Sequence, residues 1–317
     1  MSFDNSTKKV FIHTGLHKTG TTYLQNEIWT QASSYTFISR PYTQHNHAFN
    51  QLQYADDTMF NEDLIKNEIS KFDVSPLLIS DESFSGKPIY FSYINRSLIA
   101  KRINKLFPTA EIILFIRDQL DIMKSHYSSY IKMPYGIKKI ENLFYKPNID
   151  YNFEEIYKKK NPSIDTLYFN SNDYFIHMDC FKYSSLIKIY KKLFKRCHIF
   201  LYEDLINHEN EILCQLSDII GAKLIPKNKI YNKSLSSIEL EKKRFENKIN
   251  LFLGNNKYIR KSIQFTNVIN PLFFRYKNKD LKSNLRSVVK DYYKSDNQIL
   301  KKLLPSIKWE RYPYSYL

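Results

Sequence analysis

The stretch FIHTGLHKTGTTYLQ, at positions 11–25, joins a short apolar run to a helix-like run through a turn that contains two glycines. Gly15 and Gly20 keep the spacing of the phosphate-binding loop GxxxxGK[ST], but Thr21 stands where that loop has its lysine, and Lys18 lies inside the turn. Only six glycines occur in the chain, so a pair five residues apart indicates a backbone requirement. We expect a strand, a turn and a helix whose first N–H groups and threonine hydroxyls surround one anion.

The composition is that of a globular protein. Hydrophobic residues fill 43% of the 317 positions, enough for a substantial core. The cysteines Cys180, Cys197 and Cys214 are widely spaced and form no CxxC pair, which argues against a disulfide framework and a zinc site. The N-terminus shows no signal sequence, and no run of about 18 apolar residues follows, so we expect a cytoplasmic protein.

The charge is strongly positive and unevenly distributed. The chain has 48 Lys and Arg against 32 Asp and Glu, a net charge of +16. Positions 227–317 hold 21 basic and 7 acidic residues, and therefore +14 of the excess. A surface of this kind favours anionic partners.

Strand-like and helix-like patterns alternate along the chain. Short apolar runs typical of buried parallel strands lie at 9–14, 76–80, 111–117 and 197–202. Helical patterns cover 20–31, 94–106, 118–132, 180–195 and 207–220. The alternation predicts an α/β fold, a P-loop-like three-layer sandwich with a central parallel sheet flanked by helices, which binds ligands at the carboxyl ends of its strands. Segment 132–175 has little periodicity, and we interpret it as an insertion over that edge.

A second motif follows the third of these strands, in EIILFIRDQLDIMKSHYSSY at 111–130. The strand ends at Arg117, and the next helix carries Ser125 after seven intervening residues. Seven helical residues span about 10 Å, so the guanidinium can fold back towards a phosphate beside the serine hydroxyl. Either residue alone suits a salt bridge or a solvated helix position. Downstream of the glycine turn, the pair predicts a second phosphate site.

Together these motifs resemble those of sulfotransferases that use 3′-phosphoadenosine 5′-phosphosulfate (PAPS). The segment LHKTGTTYLQ at 16–25 resembles the loop that binds the 5′-phosphosulfate, and Arg117 with Ser125 resembles the motif for the 3′-phosphate. The resemblance implies an enzyme that transfers a sulfuryl group, releases 3′-phosphoadenosine 5′-phosphate (PAP) and needs no metal. The residues that it implies in donor binding are Lys18, Thr19, Gly20, Thr21, Thr22, Arg117 and Ser125.

The resemblance also implies how transfer is catalysed. Lys18 contacts the bridging or leaving oxygen, where a donor aimed at developing charge contributes about 10²–10³ in rate. The acceptor hydroxyl needs a base, which contributes about 10²–10⁴. The strand at 76–80 leads into Asp81 and Glu82, in the region where related enzymes keep a catalytic His, Lys or Glu, and Glu82 is the first candidate. His17 is the second. The alternatives are a polar cap at 80–83 and a hydrogen-bonding spacer at His17.

Weaker similarities extend over most of the chain, so we expect a single sulfotransferase domain over 1–317. The stretch RCHIFLYEDLINHENEILCQLSDIIG at 196–221 resembles a late strand and helix of the family, and 232–250 resembles a segment of bacterial members. Asn232 and Ser234 then close over the donor, unless they only cap the following helix. The basic part 227–317 is expected to be helical. The YPKSGTTW form and the late glycine-rich segment of cytosolic sulfotransferases are missing, which leaves adenine recognition and the base open.

The basic C-terminal part bears on the acceptor. It favours an anionic glycan, a lipid-linked acceptor or peripheral contact with a membrane surface, although a plain solvated surface fits the composition equally well. We expect a carbohydrate hydroxyl, on an anionic or neutral glycan, to be sulfated. Two other classes fit part of the sequence: a P-loop kinase or other phosphotransferase, and a basic nucleic-acid-binding module. Neither accounts for Arg117 with Ser125, so no nucleic-acid partner is expected.

Overall fold

A computed structural model describes residues 9–72, 76–86, 95–145, 176–227, 235–253, 280–312 and 316. The chain forms two compact units. The first comprises Met1–Asp118, Lys182–Asn232 and Tyr293–Leu317, and the second comprises Gln119–Phe181 and Lys233–Tyr292.

The first unit is built around a five-stranded sheet. Its strands are β1 (Val10–His13), β2 (Thr36–Ser39), β3 (Leu77–Ser80), β4 (Glu111–Ile116) and β7 (Arg196–Leu201). They run in the order β2-β3-β1-β4-β7, and every neighbouring pair is parallel. All five carboxyl ends therefore lie along one edge of the sheet.

Helices connect these strands. The segment after β1 begins as α1 (Thr21–Tyr23), widens to a π-helix at Leu24–Ile28 and ends as a 3₁₀ turn at Trp29–Gln31. The other helices of the first unit are α2 (Tyr42–His45), α3 (His47–Tyr54), α4 (Glu62–Ser70), α5 (Arg96–Leu106), α8 (Tyr183–Leu193), α9 (Tyr202–Asn207) and α10 (Glu209–Ile220). Short 3₁₀ turns follow at Glu82–Ser85 and Trp309–Arg311.

Both faces of the sheet are buried. One face forms a cluster of apolar side chains with the helical segment after β1 and with α10: Phe11, Leu78, Ile113, Phe115, Leu24, Ile28, Trp29, Ile212, Leu213, Leu216 and Ile220. Alternate strand residues such as Ile12, Ile79 and Leu114 point to the other face and are equally buried. Helices α5 and α8 are joined by a hydrogen bond of 2.7 Å from the Asn104 amide to the Leu193 carbonyl.

This architecture confirms the predicted α/β fold, with a central parallel sheet flanked by helices. The predicted strands at 9–14, 76–80, 111–117 and 197–202 correspond to β1, β3, β4 and β7. Strand β2 and the helices α2, α3 and α4 were not predicted. Only Ile38 of the four residues in β2 is buried, since β2 lies at the edge of the sheet, so the strand lacks a continuous apolar run.

The second unit is mainly helical. It contains α6 (Gln119–Lys132), α7 (Ile140–Leu143), β5 (Phe144–Tyr145), β6 (Ile176–His177), a 3₁₀ turn at Met178–Phe181 and α11 (Ser237–Leu253). Strands β5 and β6 form a separate parallel pair. The last helix, α12 (Asp280–Leu303), contributes to both units. Where the basic C-terminal part is described, α11 and α12 agree with the helical structure that was expected.

Some predicted features fall partly or wholly outside the described residues. Of the expected insertion at 132–175, residues 146–175 lie outside them. Among the helices that the structure describes, none is long and apolar enough to cross a bilayer.

A buried amide holds the turn after α6. The side-chain nitrogen of Asn247, on α11, donates to the carbonyls of Ile131, Met133 and Gly136 at 2.9, 2.8 and 3.0 Å. Asn247 is buried, so its partners would lose their donor in a setting where water reaches poorly.

We expect Asn247→Ala to lower the free energy of unfolding by about 1–3 kcal/mol, the usual loss for buried polar groups left without a partner. Urea unfolding followed by far-UV circular dichroism measures this change, because both tryptophans, Trp29 and Trp309, belong to the first unit. Lys248→Ala, at the exposed neighbouring position on α11, is the control. Equal losses in the two variants would contradict the role given to the amide.

Candidate active site

The loop between β1 and α1 has a tightly turned backbone. Lys18 and Gly20 both adopt left-handed conformations, with φ of 71° and 82°. Gly20 caps α1, and its carbonyl accepts the Leu24 N–H at 3.0 Å. The Thr19 hydroxyl donates to the Leu16 carbonyl at 2.6 Å inside the turn. The loop is thus held in a fixed shape that leads directly into the helix, as the glycine spacing predicts.

A side chain would clash with the protein at Gly15 and would be crowded at Gly20. A Cβ on Gly15 would lie 2.5 Å from Thr21 Cγ2, and a Cβ on Gly20 would lie 3.1 Å from Leu205 Cδ2. The Gly15 clash involves a buried threonine, whose methyl group has little freedom to move. Close approach of the backbone, together with the positive φ at Gly20, is the physical reason for both glycines.

A buried histidine supports the loop from the end of β1. The Trp29 indole N–H donates to His13 Nδ1 at 3.2 Å, so Nδ1 is an acceptor and Nε2 carries the proton. The Ser80 hydroxyl lies 2.7 Å from the same Nδ1. Burial lowers the pKa of His13 to about 3, which keeps the ring neutral. Sequence analysis gave His13 no role, because the residue lies within a predicted buried strand.

Glu82 joins the loop to the end of β3. Its Oε2 accepts a hydrogen bond from the Thr21 hydroxyl, and its Oε1 accepts from Arg40 Nη1 at 2.8 Å. His17 Nε2 lies 3.8 Å from the same Oε1. The structure therefore brings together both predicted base candidates, His17 and Glu82, beside a predicted phosphate-binding residue, Thr21.

Arg40 is a site residue that sequence analysis missed. Besides its bond to Glu82, its Nε lies 3.3 Å from Asp81 Oδ1, and its Nη2 donates to the Ser83 hydroxyl at 2.9 Å. Asp81 is fully buried and also accepts from the Thr43 hydroxyl at 2.6 Å. Burial raises the pKa of Asp81, and the Arg40 charge opposes that rise. The available signal was the short run TFIS before Arg40, which is too short to stand out as a strand.

Arg117 lies against the same loop from the other side. Its Nη1 donates to the Lys18 carbonyl at 2.9 Å, and its guanidinium stacks on the Tyr202 ring with 4.5 Å between the Cζ atom and the ring centroid. Its own carbonyl accepts from the Tyr183 hydroxyl at 2.7 Å. The two predicted phosphate-binding elements, the loop and Arg117, are thus adjacent at the ends of the neighbouring strands β1 and β4.

The Tyr-Glu-Asp sequence at 202–204 supports Arg117. Next to the Tyr202 ring, Glu203 Oε1 accepts the N–H of Asp118 at 2.9 Å and Oε2 accepts from the Tyr316 hydroxyl at 3.0 Å. Asp204 Oδ1 accepts from the Tyr312 hydroxyl at 2.7 Å. Each member of the triplet therefore fixes a different neighbour around the end of β4. Burial raises the pKa of Glu203 to about 6.

The remaining predicted residues have simpler positions. Thr22 is half-buried at the second position of α1, and Ser125 is half-buried on α6 in the second unit. Asn232 and Ser234 lie outside the described residues. The roles of these four residues stay predictions.

Comparisons with known proteins find similarity in backbone structure and none in sequence. No protein-family model matches the sequence, and no curated protein matches it. Solved structures of sulfotransferases are similar in part. A sulfotransferase from Alicyclobacillus acidocaldarius has a TM-score of 0.44 at 14% identity, over 71% of this chain and 87% of its own.

Two further structures show the same level of similarity. The sulfotransferase domain from the curacin biosynthetic pathway has a TM-score of 0.36 at 13% identity, over 75% of this chain and 83% of its own. Mouse sulfotransferase SULT7A1, solved with PAP, has a TM-score of 0.39 at 12% identity, over 96% of this chain and 91% of its own. At these values the activity has to be argued from the site.

The raised pKa of Glu203 predicts a pH dependence of stability. Because the folded-state pKa of about 6 lies above the ordinary value of 4.5, the folded protein binds this proton more tightly than the unfolded chain. The resulting stabilisation is complete below pH 4.5 and is lost as the pH rises through 6. The shift corresponds to about 2 kcal/mol.

We expect the free energy of unfolding of the wild type, relative to Glu203→Gln, to fall by about 2 kcal/mol between pH 4.5 and pH 7.5. Urea unfolding at several pH values measures the difference. The same comparison with Glu310→Gln, at an exposed carboxylate of the same unit, is the control. A pH-independent difference between wild type and Glu203→Gln would refute the assignment.

Proposed function

We propose that this protein is a PAPS-dependent sulfotransferase that transfers a sulfuryl group to a hydroxyl of a carbohydrate. The observation that carries the proposal is the position of the Lys18 loop between two charged groups. Arg117 contacts its backbone from the end of β4, and Glu82 contacts its Thr21 from the end of β3. A ligand with two phosphate-type groups and a reacting centre requires this combination of a loop, a cation and a carboxylate.

The residues fit the donor. The loop amides, among them the Thr21 N–H, and the Thr22 hydroxyl would hold the 5′-phosphate at the start of the helix, where the helix dipole favours negative charge. The Thr21 hydroxyl itself donates to Glu82. Arg117, on the adjacent strand, would hold the 3′-phosphate, and its planar donors suit a phosphate oxygen pair. Ser125, Asn232 and Ser234 keep the donor-binding roles that the sequence resemblance implies.

The proposed chemistry uses two side chains, those of Glu82 and Lys18. PAPS, when bound, supplies the sulfuryl group and leaves as PAP. Glu82 removes the proton of the acceptor hydroxyl while the oxygen of that hydroxyl forms its bond to sulfur. Lys18 provides an ammonium that balances the charge on the phosphate oxygen, which keeps the electron pair of the broken S–O bond. Arg40 holds the Glu82 carboxylate in place through Oε1.

Ligand binding tests the donor assignment without knowledge of the acceptor. We expect PAP to raise the melting temperature in the absence of metal, and Mg-ATP to have no comparable effect. Arg117→Ala should weaken PAP binding about 10–100-fold, as expected for one charge-assisted phosphate contact, and should weaken 5′-AMP binding much less because AMP has no 3′-phosphate.

Isothermal titration calorimetry gives both dissociation constants. Arg196→Ala removes an exposed arginine at the far edge of the sheet and is the matched control. Stabilisation by Mg-ATP alone would indicate a phosphotransferase, and steeply salt-dependent DNA binding that survives Lys18→Ala would indicate a nucleic-acid-binding protein.

Variants of the two base candidates test the catalytic assignment. We expect Glu82→Gln to reduce transfer of labelled sulfate from PAPS to candidate glycans and small alcohols at least 100-fold, with PAP affinity unchanged. His17→Asn should cause a much smaller loss. Full turnover in Glu82→Gln together with an inactive His17→Asn would move the role of base to His17.

A further inference from the structure

A cavity of about 630 Å³ lies at the carboxyl end of β2. This volume is within the range of small-molecule sites in proteins. The lining residues that matter here are Phe37, Arg40, Tyr42, His45, Asn46 and Phe72. Tyr42 and Phe72 form one aromatic wall, with ring centroids 5.3 Å apart and planes at 84°.

The order of the strands places this cavity beside the proposed base. Along the sheet edge, β2 carries the cavity, β3 carries Glu82, β1 carries the Lys18 loop and β4 carries Arg117. Neighbouring strands are about 4.8 Å apart, so each of these four features lies next to the following one. The cavity is thus on the side of Glu82 opposite to the residues that would hold the donor.

Arg40 connects the cavity to the base directly. It lines the cavity, and its Nη1 lies 2.8 Å from Glu82 Oε1. A ligand that fills the cavity and contacts Arg40 is therefore one side chain away from the carboxylate that takes the acceptor proton.

The charges around the cavity argue against an anionic ligand. Among the described lining residues, Arg40 is the only arginine or lysine. Its positive charge is already neutralised by the carboxylates of Asp81 and Glu82. The Tyr42 hydroxyl donates to a further carboxylate, Glu68, which is paired with the exposed Lys71. A carboxylate or sulfate on the ligand would therefore meet, in the described lining, no lysine or arginine that is not already paired with a carboxylate.

The remaining lining groups suit an uncharged ring that carries hydroxyls. Aromatic faces pack against the C–H faces of such a ring, and the His45 imidazole offers a hydrogen bond to its hydroxyls. The Asn46 amide caps α3 through Oδ1 and donates one N–H to the Tyr42 hydroxyl, which leaves its second N–H for the ring. We propose that this cavity is the acceptor site and that it binds an uncharged sugar residue, with one hydroxyl directed at Glu82. This inference rests on the proposed sulfotransferase function and narrows its acceptor to neutral glycans.

Matched glycosides test the charge preference. The assay measures labelled sulfate transfer from PAPS to the para-nitrophenyl β-glycosides of glucose, galactose, mannose and N-acetylglucosamine, and to the β-glucuronide. At least one neutral glycoside should be sulfated, and glucuronide should have a kcat/KM at least 10-fold below that of glucoside. A preference for glucuronide, or no transfer to any neutral glycoside, would overturn the inference.

Variants of the lining test the location. Tyr42→Ala and His45→Ala should each raise the KM for the accepted glycoside at least 5-fold, with the PAP dissociation constant unchanged. His45 is exposed, so its variant should fold even if the loss of Tyr42 disturbs packing. Tyr54→Ala, at an exposed tyrosine outside the cavity lining, is the control. Unchanged KM values in both variants would place the acceptor elsewhere, whereas failure of the wild type to bind PAP would refute the proposed function itself.

Discussion

The hydrogen-bonded junction at Glu82 is the interaction on which the rest of the site depends. Through its two oxygens, one carboxylate links the helix start after β1 to the arginine after β2. Arg40 is in turn anchored by the fully buried Asp81, whose other contacts with Thr43 and Ser83 fix its position. Without this junction, the loop, the carboxylate and the cavity would be three independent surface features.

The parallel sheet sets the order in which these features occur. Since every strand ends at the same edge, the strand order alone arranges cavity, carboxylate, loop and Arg117 in a line. The chain order differs, because the chain starts with β1 in the middle of the sheet, continues to β2 at one edge and returns through β3 before it reaches β4. Local contacts then fix individual residues. Tyr202 stacks on Arg117, and Glu203 accepts the N–H of Asp118. His13 and Trp29 form a hydrogen bond beneath the loop.

The sequence predicts the central strands well, because strands buried on both faces are continuous apolar runs such as EIILFI. It also predicts the loop, since two closely spaced glycines in a chain with only six require a backbone reason. It does not predict β2, whose four residues are mostly half-exposed. Arg40 could not be found either, because its partners lie about 40 positions away and only the fold brings them together. Likewise, Tyr202, Glu203 and Asp204 were visible as a triplet, but their separate contacts depend on residues near positions 117 and 312–316.

The left-handed backbone of Lys18 has a consequence for how this protein can change. A residue with a Cβ in that conformation costs about 1–2 kcal/mol, a penalty that glycine avoids and asparagine reduces. At position 18, the stability of the fold therefore conflicts with the catalytic role that is proposed for the lysine. A library enriched for thermal tolerance alone would accumulate glycine or asparagine there, while one enriched for activity would keep the lysine, so directed evolution of this loop would reveal which of the two demands shaped it.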